Sequence, residues 1–256
     1  MTGLHQESFG QGKTIVMIHG WAMHSGIWRD FARDLGQRYR VICIDLPGHG
    51  QSEKLLPFTL ASTAELVANS VTEPECWWLG WSLGALVTLD IAARFPQRCR
   101  GLILLAGNPH FVQTDRWPGI RLSALKAFSE SLAADSPATL LRFLSLQINE
   151  TLDYKELAKR LRAAIAQCPT PDHDTLEQGL QILKASDLRA ALAALKQPVS
   201  VILGNRDTLV PAEVGYRMQQ LLPELELNVL DKAGHVPFLS HREQILALIS
   251  HFMERT

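Results

Sequence analysis

Cys76-Trp-Trp-Leu79-Gly80-Trp81-Ser82-Leu83-Gly84 leads into Ala85 to Phe95, and the reading of this stretch decides the fold. The first four residues form an apolar, strand-like run. The residues after Gly84 have helical character. Between them stands G-x-S-x-G, a serine between two glycines at the spacing of a sharp strand-to-helix turn. Such a turn lifts the Ser82 hydroxyl off the sheet edge and tolerates only small residues two positions to either side, as Gly80 and Gly84 supply. It also opens a helix beneath the serine, so the Leu83 amide and the helix dipole face any negative charge that forms there.

The runs on either side extend the pattern. Thr14–Ile18 (TIVMI), Arg40–Ile44 (RVICI), Gly101–Ala106 (GLILLA), Val199–Leu203 (VSVIL) and Glu224–Leu230 read as further strands. Helical spacing separates several of them: Ser25 to Leu35, with Ser25 as its cap, Thr59 to Val71, and a closing helix from His241 to Met253. Strands that alternate with helices imply βαβ units, a mostly parallel sheet and helices on both of its faces. Sites in such sheets lie past the carboxyl ends of the strands. From about 108 to 189 the β-rich runs stop and helical segments with Pro118, Pro137, Pro169 and Pro171 take over. We expect one α/β domain over 1–256 with this stretch inserted as a helical cap.

Bulk composition narrows the function. A chain of 256 residues, 46% of them hydrophobic, can bury a full core, and a net charge of −1 supplies no basic field for nucleic acid. Cys43, Cys76, Cys99 and Cys168 are widely spaced, without a C-x-x-C pair, which reads as reduced thiols in a cytoplasmic protein. Met1 to Lys13 is polar and unlike a signal peptide, and no apolar run is long enough to span a bilayer. Gly12-Lys13-Thr14 and Gly48-His49-Gly50 fall short of nucleotide-binding motifs: Glu7 and Glu53 stand where small residues are required. No H-E-x-x-H metal motif occurs, and no cofactor or metal is expected.

A serine hydroxyl needs a base, and the base needs an orienting carboxylate. His235 follows a late strand in the loop Asp231-Lys-Ala-Gly-His235, and Asp207 follows the strand before it in Gly204-Asn-Arg-Asp207. The order Ser82, Asp207, His235 is that of the α/β-hydrolase fold. Asp231 is too close to His235 in sequence, Asp187 falls in the helical stretch, and Gly107-Asn108 offers no acid. His19-Gly20-Trp21 closes the first strand, where the Trp21 N–H is positioned as a second oxyanion donor beside Leu83 N–H. His19 itself reads as a brace for this loop. Serine at position 82 argues against chemistry in this fold that requires a carboxylate nucleophile. Within the helical stretch, Phe143-Leu144-Ser145-Leu146-Gln147 lies on an amphipathic helix whose apolar side serves either simple packing or an acyl pocket. The next helix carries Lys155, Lys159 and Arg162 on one face, which reads as a solvated surface or as a dock for an acidic partner.

At this point the chain resembles the pimeloyl-acyl carrier protein methyl ester esterases of biotin synthesis. The likeness rests on His19-Gly-Trp21, Trp78-Leu-Gly-Trp-Ser-Leu-Gly84, Arg116-Trp-Pro-Gly-Ile120, Phe143-Leu-Ser-Leu-Gln147, Gly179-Leu-Gln-Ile-Leu-Lys-Ala-Ser-Asp-Leu-Arg189 and Leu209-Val-Pro211. The resemblance implies a serine esterase that removes a methyl group from a pimeloyl chain held on acyl carrier protein; we separately expect a monomer. It implies that Trp21, Leu83 and Phe143 to Gln147 contact substrate, and that Arg142, Lys155, Lys159 and Arg162 meet the acidic carrier. Ala138 offers no charge where the family can show a basic residue.

Overall fold

A computed structural model describes residues 3–148 and 154–256, with the side chains of Leu144 and Tyr154 also outside the described set. Among the described residues the elements run in chain order as follows: β1 (Gln6–Phe9), β2 (Thr14–Ile18), α1 (Arg29–Leu35), β3 (Arg40–Ile44), α2 (Leu60–Ser70), β4 (Cys76–Trp81), α3 (Leu83–Arg94), β5 (Cys99–Leu105), α4 (Leu122–Ala134), α5 (Ser136–Ile148), α6 (Tyr154–Ile165), α7 (His173–Ala185), α8 (Arg189–Ala194), β6 (Val199–Gly204), α9 (Glu213–Leu221), β7 (Glu226–Leu230), α10 (Pro237–Ser240) and α11 (Arg242–Arg255). The strands form one sheet in the order β1-β3-β2-β4-β5-β6-β7. Every neighbouring pair is parallel except β1 with β3.

Side chains alternate across this sheet, and both faces are apolar. Val16, Ile18, Trp78, Leu102 and Val201 pack under α2, α3, α8 and α9. Ile15, Met17, Trp77, Leu79, Ile103 and Ile202 pack under α1 and α11. Burial on both sides explains why the central strands read as unbroken apolar runs. No described helix is long and apolar enough to cross a membrane.

Two local expectations are corrected. The expected helix from Ser25 to Leu35 begins as a short 3₁₀ turn over Ser25–Trp28 before α1, and its cap is His24, whose Nδ1 accepts the Gly26 N–H at 3.1 Å. The Ser25 N–H instead donates to Asp45 Oδ1 at 2.5 Å. The polar N-terminal segment contributes a strand, β1, that the sequence reading lacks. Its residues Gln-Glu-Ser-Phe form a partly exposed edge and hold few apolar groups to announce it.

Helices α4 to α7 stand between β5 and β6, where a direct crossover would need only one helix. Asp172 caps α7 by accepting the Thr175 N–H at 2.8 Å. α8 lies at the end of the expected insertion but packs against α3 and α9, and so belongs with the sheet body.

Candidate active site

The turn after β4 is as tight as the glycine pattern requires. A Cβ on Gly80 would collide with the Gly84 carbonyl, and one on Gly84 would collide with the Ile18 carbonyl. Ser82 sits at φ 55°, ψ −116°, outside the wells ordinary for an L-residue, a strain of the order of 1–3 kcal/mol. The surrounding backbone holds it there: Ser82 N–H donates to Leu105 O at 3.1 Å and Ala85 N–H donates to Ser82 O at 2.9 Å.

Loops past β6 and β7 bring the other two residues to the serine. Ser82 Oγ lies 2.9 Å from His235 Nε2, and His235 Nδ1 lies 2.7 Å from Asp207 Oδ2. Asp207 Oδ1 accepts the N–H groups of Leu209 (2.8 Å) and Val210 (2.9 Å). A carboxylate with that many donors is fixed in rotamer and orients the imidazole with Nδ1–H towards itself and a bare Nε2 towards the serine. Both side chains of the Asp207–His235 pair are at most 1% exposed. Asp231, the nearest rival in sequence, is elsewhere: its carboxylate binds Asn205 Nδ2 at 2.9 Å on the surface. Asp187 is held by Arg189.

The histidine is also fastened through its main chain. Trp81 Nε1–H donates to His235 O at 2.7 Å, and His235 N–H donates to the carbonyl of Gln147 at 3.1 Å. The second bond joins the base directly to the last turn of α5. No sequence pattern signals it, because its acceptor is a main-chain atom.

His19 braces the loop after β2. Its Nε2 accepts the Leu46 N–H at 2.9 Å, which leaves Nδ1–H to donate to Gly20 O at 2.8 Å. Burial, reinforced by the neighbouring His49 and opposed by Asp45, lowers its pKa to about 3. Burial likewise lowers His49 to about 4. Both are neutral where the chain is folded at ordinary pH. The braced backbone runs against the serine: a Cβ on Gly20 would lie 3.2 Å from Ser82 Cβ. Trp21 follows immediately. Leu83 opens α3, so its N–H lies in the helix's unpaired first turn.

Above Ser82 lies a cavity of about 110 Å³ whose other lining side chains are all apolar, with Phe111, Phe128, Phe143, Leu146 and Leu209 among them. Of the expected substrate-contact residues, Phe143 and Leu146 line it. The Trp21 indole stands behind Phe143 and Phe128, with ring centroids 4.9 and 5.5 Å away, and its Nε1–H donates to Leu176 O at 2.8 Å. Ser145 turns its hydroxyl back onto Leu141 O at 3.1 Å. Gln147 is 1% exposed, and neither its Oε1 nor its Nε2 has a hydrogen-bond partner among the described residues. The Leu144 side chain lies outside the described set. Arg142, Lys155, Lys159 and Arg162 are exposed, while Leu157 and Leu161 on the far side of α6 are buried. Phe111, Phe128 and Leu183 come from segments that sequence reading did not single out for the pocket.

Residues 13–242 match the family model of the alpha/beta hydrolase fold. A curated relative from Methylococcus capsulatus, named pimeloyl-[acyl-carrier protein] methyl ester esterase, is 41% identical over 251 residues and covers 98% of each chain. The chain belongs to this esterase family within the alpha/beta hydrolases. A protein of the same name from Serratia marcescens is 38% identical over 99% of each chain. Among solved structures, an esterase from Exiguobacterium antarcticum superposes with a TM-score of 0.88 over 98% of this chain and 96% of its own, at 24% identity, and speaks for the fold alone. The family's fold expectation holds in this chain: a mostly parallel sheet with helices on both faces.

Proposed function

We propose that this chain is a serine carboxylesterase that hydrolyses the methyl ester of a pimeloyl chain carried on acyl carrier protein, freeing the distal carboxylate for biotin synthesis. The observation that carries the chemistry is the hydrogen-bonded line from Ser82 through His235 to Asp207 beneath an apolar pocket. The observation that carries the substrate is full-length similarity to esterases of that name.

His235 Nε2 takes the Ser82 proton as Oγ attacks the ester carbonyl, and Asp207 stabilises the imidazolium and fixes its tautomer. The Leu83 and Trp21 N–H groups stabilise the oxyanion. Collapse expels methanol, which receives the proton from His235. Water then enters, gives its proton to the same nitrogen and cleaves the acyl-enzyme. The apolar wall formed by Phe143 and Leu146 suits the methylene chain, and Gln147, its amide buried and without a hydrogen-bond partner among the described residues, is the group on α5 suited to a polar atom of the substrate. Helices α4 to α7 act as a cap over the serine. The carrier docks on Arg142, Lys155, Lys159 and Arg162, whose charge faces solvent. A reduced, cytoplasmic monomer goes with this reading, and the four cysteines are free thiols.

The test is methanol release from pimeloyl methyl ester on acyl carrier protein, by the wild type and by Ser82→Ala, across a salt series. Rapid Ser82-dependent release that falls as salt rises, beside salt-insensitive cleavage of methyl butanoate, is the expected result. Cleavage of methyl butanoate alone makes the chain a generalist esterase without a carrier partner.

A further inference from the structure

Trp81 occupies the open position of the serine motif, between Gly80 and Ser82, and its side chain is buried. Its peptide carries the nucleophile, and its indole meets two other parts of the site. Nε1–H donates to the His235 carbonyl at 2.7 Å, and the indole and imidazole centroids are 5.7 Å apart. A Cβ built on Gly20 would lie 3.2 Å from Trp81 Cε3 and 3.2 Å from Ser82 Cβ, so the loop after β2 runs against the indole and the serine together. Phe238 of α10 and Trp28 hold the indole in place, with ring centroids 5.1 and 6.0 Å away. Packing in this cluster does not require the N–H. Trp28 is buried in it with no hydrogen-bond partner for its Nε1 among the described residues.

We propose that Trp81 is a positioning residue for the ester hydrolysis, an assignment that rests on the esterase reading above. His235 follows β7, three places from β4 in the sheet order. Its loop must reach back past β6 and β5 to meet Ser82, and sheet register alone does not fix that reach. The indole bond supplies the missing constraint. With His235 N–H on the Gln147 carbonyl and His235 O on Trp81 Nε1–H, both peptide units flanking the imidazole are fixed. Only the side-chain torsions remain, and Asp207 and Ser82 set those. One rigid ring thus holds the serine turn, the histidine loop and the oxyanion loop at set separations. Loss of its donor frees Nε2 to leave the 2.9 Å approach to Ser82 Oγ, and an error of about 1 Å in a reacting geometry costs up to about 10²-fold in rate.

The experiment measures kcat and KM for methyl butanoate with the wild type, Trp81→Phe and Trp28→Phe, with Ser82→Ala as the blank and thermal melting as the check on folding. The two tryptophan substitutions remove the same atoms from the same cluster, but only the first removes a hydrogen bond to His235. Trp81→Phe should lower kcat by about 10- to 100-fold with KM within about two-fold. Trp28→Phe should keep kcat within about three-fold of the wild type. A third variant carries 3-benzothienylalanine in place of Trp81, with sulfur where the N–H was and nearly the same shape. It should fold as the wild type does and lower kcat by about 10-fold, which isolates the bond from the ring. A folded benzothienylalanine variant with the kcat of the wild type, or a Trp81→Phe variant no slower than Trp28→Phe, overturns the proposal and leaves the esterase reading intact. A wild type inert towards both methyl butanoate and the carrier-bound methyl ester overturns both.

Discussion

Asp207→Asn tests the proposed chemistry with almost no change of shape. In the native site Oδ1 accepts two main-chain N–H groups, from Leu209 and Val210, while Oδ2 receives His235 Nδ1–H. An asparagine amide can keep only one of these two arrangements. Turning its NH2 towards the main chain would leave two buried donors facing donors, at about 1–3 kcal/mol each. The oxygen therefore stays with the backbone, and Nδ2–H2 faces His235. The imidazole answers by accepting at Nδ1 and carrying its proton on Nε2, against Ser82 Oγ, where it cannot act as a base. Loss of the correct tautomer in a serine triad lowers kcat by about 10⁴-fold, roughly 5.5 kcal/mol of barrier. Steady-state cleavage of methyl butanoate measures the loss, and thermal melting checks that the fold survives. Asp231→Asn, at a surface carboxylate bound to Asn205, should leave the rate within about two-fold. A folded Asp207→Asn variant that keeps more than a tenth of the activity would refute the assignment of Asp207 as the orienting acid.

Two further outcomes concern stability and the pocket wall. His19 and His49, held near pKa 3 and 4 when folded, regain the ordinary 6.5 on unfolding, so the unfolded chain binds more protons between these limits and stability falls as pH drops below 6.5. From pH 7.5 to 5 each should remove roughly 2 kcal/mol; urea titrations at both pH values measure it, and equal stability at the two would contradict the neutral burial of the pair. Asp45, buried but accepting the Ser25 and Gln51 N–H groups, has its pKa lowered, stays ionised across that window and does not offset the loss. Trp21→Phe removes the Nε1–H bond to Leu176 O and leaves space beside Gly179, where a Cβ would come within 2.6 Å of the indole. It should lower stability by about 1–2 kcal/mol and raise KM more than it lowers kcat as Phe143 loosens, judged by melting and by kinetics on a small ester. Unchanged KM with unchanged stability would remove Trp21 from the wall's support.

What the sequence made legible follows from where its signals lie. Ser82, Asp207 and His235 each stand a few residues past an apolar strand, and a parallel sheet sends all such ends to one side, so their meeting follows from order alone. Strand β1 escaped because an edge strand needs hydrogen-bonding backbone more than apolar side chains, and Gln6 to Phe9 supply mainly the former. His24 stands as the cap in place of Ser25, its imidazole accepting the Gly26 N–H, while Ser25 is tied to Asp45, distant in sequence. The run of helices between β5 and β6 was visible as a change of composition, but which of their side chains line the pocket was not. Phe111, Phe128, Leu180 and Leu183 look like ordinary core leucines and phenylalanines until the helices are packed, since what selects them is which way each helix is turned.

The bond from His235 N–H to the Gln147 carbonyl gives the insertion a second duty. Thr208 Oγ1, one residue past Asp207, reaches the Leu146 carbonyl at 3.4 Å, so the final turn of α5 touches the loops of both the acid and the base. Any displacement of α5 that widens the entrance also withdraws an acceptor from the histidine's main chain. The helix that walls the pocket is thereby also a strut for both catalytic loops, so its placement and theirs are not independent.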